Sequence, residues 1–96
     1  MKILVVAPRE MAEITKEVLT AEELKNILWF SEDDFRLVLH FFGNSFLLGF
    51  DIYIVDSVCN LGILNPEKPQ YQISDREGCL KVHEIPLRIK FFLKNI

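Results

Sequence analysis

Two cysteines, Cys59 and Cys79, lie 20 positions apart with no Cys-x-x-Cys pair. Metal centres need clustered ligands and disulfide frameworks need more cysteine in an oxidising compartment, so both thiols are read as free and buried. No metal site and no cofactor are expected. No run of 18 apolar residues exists to cross a membrane as a helix, and the apolar run before Pro8 is too short for the core of a signal peptide. The expectation is a reduced, cytoplasmic protein with no membrane span. Glycine is scarce, at four residues, and no glycine-rich phosphate loop follows the first apolar run. Ala7-Pro8-Arg9-Glu10 stands there instead, which disfavours dinucleotide binding of the usual kind. Ser57 lacks the Gly-x-Ser-x-Gly frame of a nucleophile elbow. Basic charge is short in the first part of the chain: residues 1–34 carry eight acids against four bases, a net of −4, within an overall net of −3. Duplex DNA binding needs a basic field, so none is expected.

Apolar residues are abundant. They make up half of the 96 residues and include eight Phe, which excludes disorder and exceeds what one small domain usually hides. Part of this surface is expected to lie against a partner. Two continuous runs stand out, Met1-Lys2-Ile3-Leu4-Val5-Val6-Ala7-Pro8 and Gly49-Phe50-Asp51-Ile52-Tyr53-Ile54-Val55-Asp56-Ser57. Runs without polar alternation suit strands buried on both faces of a parallel sheet. Residues 3–7 and 51–55 are therefore expected to be adjacent parallel strands, with a helical crossover between them.

After the first strand, Pro8 suits a helix start, and Met11, Ile14 and Val18 recur at helical spacing. Thr20-Ala21-Glu22-Glu23 is a capping-box pattern, which predicts a second helix, or a bend in the first, running to about Phe30. Ser31-Glu32-Asp33-Asp34 repeats the signal with three acids where the helix dipole favours negative charge. Residues 35–48 fit two readings. As a helix they turn Phe35, Val38, Leu39, Phe42 and Phe46 inward; as a strand they enter a hairpin at Gly43-Asn44. The acidic cap favours the helix. Residues 57–79 read as a long irregular connection with one short strand at 71–74, and residues 79–85 as a third main strand. Pro86 opens a last helix with Leu87, Phe91 and Ile96 on its apolar face. The whole is expected to be a single α/β domain over 1–96, a small three-layer Rossmann-like or flavodoxin-like fold with a short, mainly parallel sheet. The alternative is an α+β fold with a hairpin at 35–56.

In open parallel sheets, ligands lie outside the carboxyl ends of the strands, where helix N-termini present free amides. Those ends carry Arg9, Glu10, Asp56, Ser57, Asn60 and His83, the candidate ligand-binding residues. The last helix holds more large apolar residues than one face can bury, so Ile89, Phe92, Leu93 and Ile96 are candidates for an interface with a second copy or another protein.

Lys2-Ile3-Leu4-Val5-Val6 with its following helix, and Asp51-Ile52-Tyr53-Ile54-Val55-Asp56 some fifty positions later, resemble the first and third strands of a response-regulator receiver domain. The resemblance covers about a third of the chain and implies that Asp56 matches the phosphoacceptor. Ala7-Pro8 stand where receivers carry the acidic pair that holds magnesium, so phosphoryl transfer does not follow from it. Three functions remain open. The first is a regulatory or protein-interaction domain without catalysis, and the second is a module for a nucleotide or other small anion at the strand ends. The third is a compact hydrolase or nuclease using His83, Asp56 or Ser57.

Overall fold

The computed structural model describes residues 1–94. Four short strands, β1 (Ile3–Val6), β2 (Ile27–Phe30), β3 (Ile52–Asp56) and β4 (Gln70–Ile73), form one sheet in the order β2-β1-β3-β4, with every neighbouring pair parallel. Val5 lies opposite Trp29 on one side and Ile54 on the other. The expected parallel pairing of the first strand with the strand after residue 51 is thus present.

Side chains alternate across a strand, so each run divides between two layers. Ile3, Val5, Ala7, Ile52, Ile54 and Ile73 point to one face, where they meet Leu19, Ile85, Ile89 and Phe92 under helices α1 (Arg9–Val18) and α4 (Ile85–Lys94). Leu4, Val6, Tyr53 and Val55 point to the other, against Phe35, Leu47, Phe50 and Cys59. That second layer is built from α3 (Glu32–Phe42), the 3-10 helix Asn44–Gly49 and the loop after β3. With both faces covered, neither central strand has a wet side, which is why β1 and β3 show no polar alternation. The crossover from β1 to β2 uses the α1 face and runs one way. The crossover from β2 to β3 uses the α3 face and runs the other way, so the two share one hand.

Four expectations are corrected. A helix reaching Phe30 does not form. The capping box is present, with the Glu23 N–H donating to Thr20 Oγ1 at 3.2 Å and the Thr20 N–H to Glu23 Oε1 at 2.8 Å, but α2 (Ala21–Leu24) lasts about one turn. The Asn26 amide closes it by donating to the carbonyls of Glu22 and Glu23. The Ile-Leu-Trp-Phe that follows is free to pair with β1. The third main strand at 79–85 is reduced to a single parallel bridge between Leu80 and Ile73, followed by a 3-10 turn over Val82–Glu84. Phe42, expected inward, is 69% exposed, because α3 stops at Gly43 with φ 75° and its last turn stacks on Phe46.

The last helix is rotated from its expected phase. Ile85 enters buried beneath the sheet and sets the inward stripe Ile85, Ile89, Phe92 at the i, i+4, i+7 spacing. Ile89 and Phe92 therefore belong to the chain's own core, with Leu93 packed partly buried against it. Leu87 and Phe91, expected inward, are the exposed ones. Ile96 lies outside the described residues.

One ion pair joins α2 to this helix, Lys90 Nζ to Glu23 Oε1 at 2.8 Å. The Lys90 hydrogen bond, followed by that from the Thr20 amide, holds the Glu23 carboxyl below its ordinary 4.5. A carboxyl lowered in the folded state stabilises the fold above the unfolded value, and this contribution is lost as pH falls through the folded value. Glu23→Gln should therefore lower the denaturation midpoint at neutral pH, and the difference from the parent should shrink away as pH falls through the lowered Glu23 value, read as midpoint against pH.

Candidate functional site

Strand β3 ends in Asp56, 5% exposed, whose Oδ1 accepts from the Val58 N–H at 3.0 Å and so caps the 3-10 turn Ser57–Cys59. Asn60 closes that turn in the left-handed region, φ 48°. Next to it, β4 ends at Ile73, and the chain doubles back through Ser74, Asp75 and Arg76. This bend is braced internally. The Arg76 N–H donates to Ser74 Oγ at 3.2 Å, and the Lys81 ammonium donates to the carbonyls of Ser74 and Arg76.

Between these two ends and the first turns of α1 lies an open cleft of about 420 Å³. Its apolar lining is Met11, Val58, Ile73 and Val82; Asp56, Ser57, Ser74, Asp75 and Arg76 supply the polar groups. Among the described residues the Arg76 guanidinium has no ion-pair partner. A smaller cleft of about 230 Å³ opens beyond β1, where Arg9 and Lys16 of α1 face Trp29, Ser31 and Asp34. The Trp29 indole N–H is fixed there by donating to the Ala7 carbonyl at 3.3 Å.

Of the candidate ligand-binding residues, Asp56 and Ser57 share the larger cleft and Arg9 lines the smaller one. Glu10, Asn60 and His83 line neither. With residues 79–85 taken as a strand, His83 would end it. The strand that does end here is β4, and its carboxyl end presents Ser74, Asp75 and Arg76. Those three were recoverable by applying the strand-end rule to the short strand at 71–74. Asp56 is engaged as a turn cap, and Ser57 and His83 do not meet across one cleft. Among the described residues no group of three His, Cys, Asp or Glu is placed to hold a metal ion, and no helix is long and apolar enough to cross a membrane.

A third concavity lies on the α3 face. Leu39, Leu47, Leu48, Leu61, Ile63 and Leu64 line a groove of about 700 Å³, with Arg36, Asn44 and Ser45 at its edges. Leu48 is 64% exposed and Ile63 77%. The loop that forms the outer wall is held from below by Gln70. Its Oε1 accepts from the Leu64 N–H at 2.9 Å and its amide donates to the Gly62 carbonyl at 2.7 Å. The groove lies outside the candidate residues named from the strand ends, and its one signal in the sequence is Leu61-Gly62-Ile63-Leu64, an apolar cluster inside a long loop.

Cys59 lies beneath the same layer. Burial first, then the carboxylates of Glu32 and Asp56, push its thiol above the ordinary range. Thiolate is the reactive form, so iodoacetamide at pH 8 should label Cys79, which is partly exposed, well before Cys59, as peptide mass mapping over time would show.

No family model, curated protein or solved structure matches the chain.

Proposed function

We propose that the domain is a small regulatory or protein-interaction module that acts by binding and performs no catalysis. The observation that carries this reading is the groove on the α3 face, which combines an apolar lining with exposed Leu48 and Ile63 on a wall held in place by Gln70. Native surfaces bury such clusters unless they serve recognition, and an open volume of this size suits the apolar face of a short amphipathic segment from a partner protein.

Selection of random displayed peptides on the immobilised domain is the test. It should return amphipathic sequences whose binding is lost in both Leu48→Glu and Ile63→Glu, with thermal stability kept. Failure to enrich any peptide, or hits indifferent to both substitutions, would contradict it.

A second reading, a small anion or nucleotide at the strand ends, is favoured by Arg76 standing without an ion-pair partner in the 420 Å³ cleft. The position agrees with the general rule that ligands of open parallel sheets lie outside the carboxyl ends of the strands, here those of β3 and β4. A ligand of the native state raises stability by mass action. A thermal-shift panel of nucleotides and inorganic phosphate should then give a rise that Arg76→Ala removes.

A further inference from the structure

The two edges of the sheet are finished differently. Beyond β4, Leu80 occupies the next position: its N–H donates to the Gln72 carbonyl at 2.8 Å and its carbonyl accepts from the Ser74 N–H at 3.1 Å. Pro69, which has no N–H to offer, precedes that strand. At the opposite edge, the carbonyls of Asn26 and Phe30 accept from the N–H groups of Ile3 and Ala7, at 2.8 and 3.0 Å. Main-chain groups alternate in direction along a strand, so Ile27 and Trp29 aim their N–H and C=O groups away from the sheet. Among the described residues, no hydrogen bond outside the β1 pairing reaches them. Natural edges are blunted by charge, proline, a bulge or a cover, yet β2 reads Ile-Leu-Trp-Phe and Leu28 is 43% exposed.

We infer that β2 is the seam of a homodimer, in which it pairs antiparallel with β2 of a second copy and joins two four-stranded sheets into one of eight strands. The pairing that satisfies all the outward groups sets Ile27 against Trp29 of the partner subunit and Leu28 against Leu28 of the partner subunit on the two-fold axis. The order of charges along the edge favours the antiparallel direction. Lys25, which pairs with Glu22 of its own chain at 3.1 Å and keeps its side chain 73% exposed, precedes the strand, while Glu32, paired with Arg36 at 3.1 Å, and Asp33 follow it. Antiparallel pairing brings Lys25 beside Ser31 of the partner subunit, one residue from Glu32 of the partner subunit, twice by symmetry. Parallel pairing would set like charges side by side and would not close on a two-fold axis. The seam uses the free edge of β2, so it does not depend on the groove between α3 and residues 61–64.

Light scattering coupled to size exclusion should report about twice the 11.2 kDa chain mass at tens of micromolar, falling towards one chain on dilution. The amides of Ile27 and Trp29 should lose exchange protection in step. Leu28→Glu and Leu28→Lys each set like charges across the axis, so each should be monomeric at a concentration where the parent is a dimer. An equimolar mixture of the two should recover the dimer, which also shows that both variants fold. A monomeric parent across this range overturns the inference. So does a dimer indifferent to either substitution, or a mixture that stays monomeric.

Discussion

Phe35→Ala should cost about 3 to 5 kcal/mol, in the range expected for truncating a fully buried Phe. Phe35 is completely inaccessible to solvent and is the one buried residue of α3. The helix is otherwise held by partly buried Leu39 and by the Ser31 and acidic-residue cap at its start. Alanine therefore removes the contact that seats α3 on Leu4, Val6 and the Phe30 ring, 6.2 Å away between centroids. A chain this size is stable by only about 5 to 14 kcal/mol, so urea unfolding should show the midpoint collapse. Phe41→Ala is the matched control. That ring is 74% exposed, and its loss should change stability by no more than about 0.5 kcal/mol. Equal effects from the two substitutions would mean that α3 does not sit as described.

Tyr53→Ala should be as damaging, and Tyr53→Phe divides the effect between ring and hydroxyl. Tyr53 is the largest of the fully buried side chains, on the central strand β3. Its ring packs edge-on to Phe50 at 6.0 Å. Its hydroxyl donates to the Leu47 carbonyl and accepts from the Asn65 amide at 3.1 Å, while Asn65 Oδ1 accepts from the Glu67 N–H at 3.0 Å. Asn65 is itself buried, so the network ties the sheet, the 3-10 helix and the loop after β3 together with no buried polar side-chain atom left unpaired among the described residues. Alanine loses ring and network, about 3 to 5 kcal/mol by analogy with buried aromatic truncations. Phenylalanine keeps the volume but strands the Leu47 carbonyl and the Asn65 amide, a cost of about 1 to 3 kcal/mol. Hydrogen exchange should accelerate over residues 61–67 in Tyr53→Phe. A neutral Tyr53→Phe with unchanged exchange would show that the loop, and with it the groove wall, is held by something else.

The central strands were legible because their burial on both faces leaves an uninterrupted apolar run, and Ile3–Val6 beside Ile52–Asp56 is the direct consequence. Beta-2 was not, because Ile-Leu-Trp-Phe after a genuine capping box continues a helical reading until Asn26 is seen to close the carbonyls behind it. The phase of the last helix was illegible for a related reason. Six large apolar residues leave several stripes open, and only the buried entry of Ile85 beneath the sheet selects Ile89 and Phe92. Of the site, the strand-end rule placed Asp56 and Ser57 in the larger cleft. It missed Ser74, Asp75 and Arg76 because residues 79–85, which keep only the Leu80 bridge to Ile73, read as the main strand, while the strand that ends at the cleft is the short one expected at 71–74. The groove has no strand-end signature at all, since it arises from tertiary packing of a loop against α3.

The most direct test of binding through the α3 face is a nitrogen-15 NMR titration of the domain with a peptide selected on it. The account predicts amide shifts concentrated at Leu39, Leu48, Leu61, Ile63 and Leu64. Shifts confined to Ser57, Ser74, Asp75 and Arg76, or none at all, would contradict it.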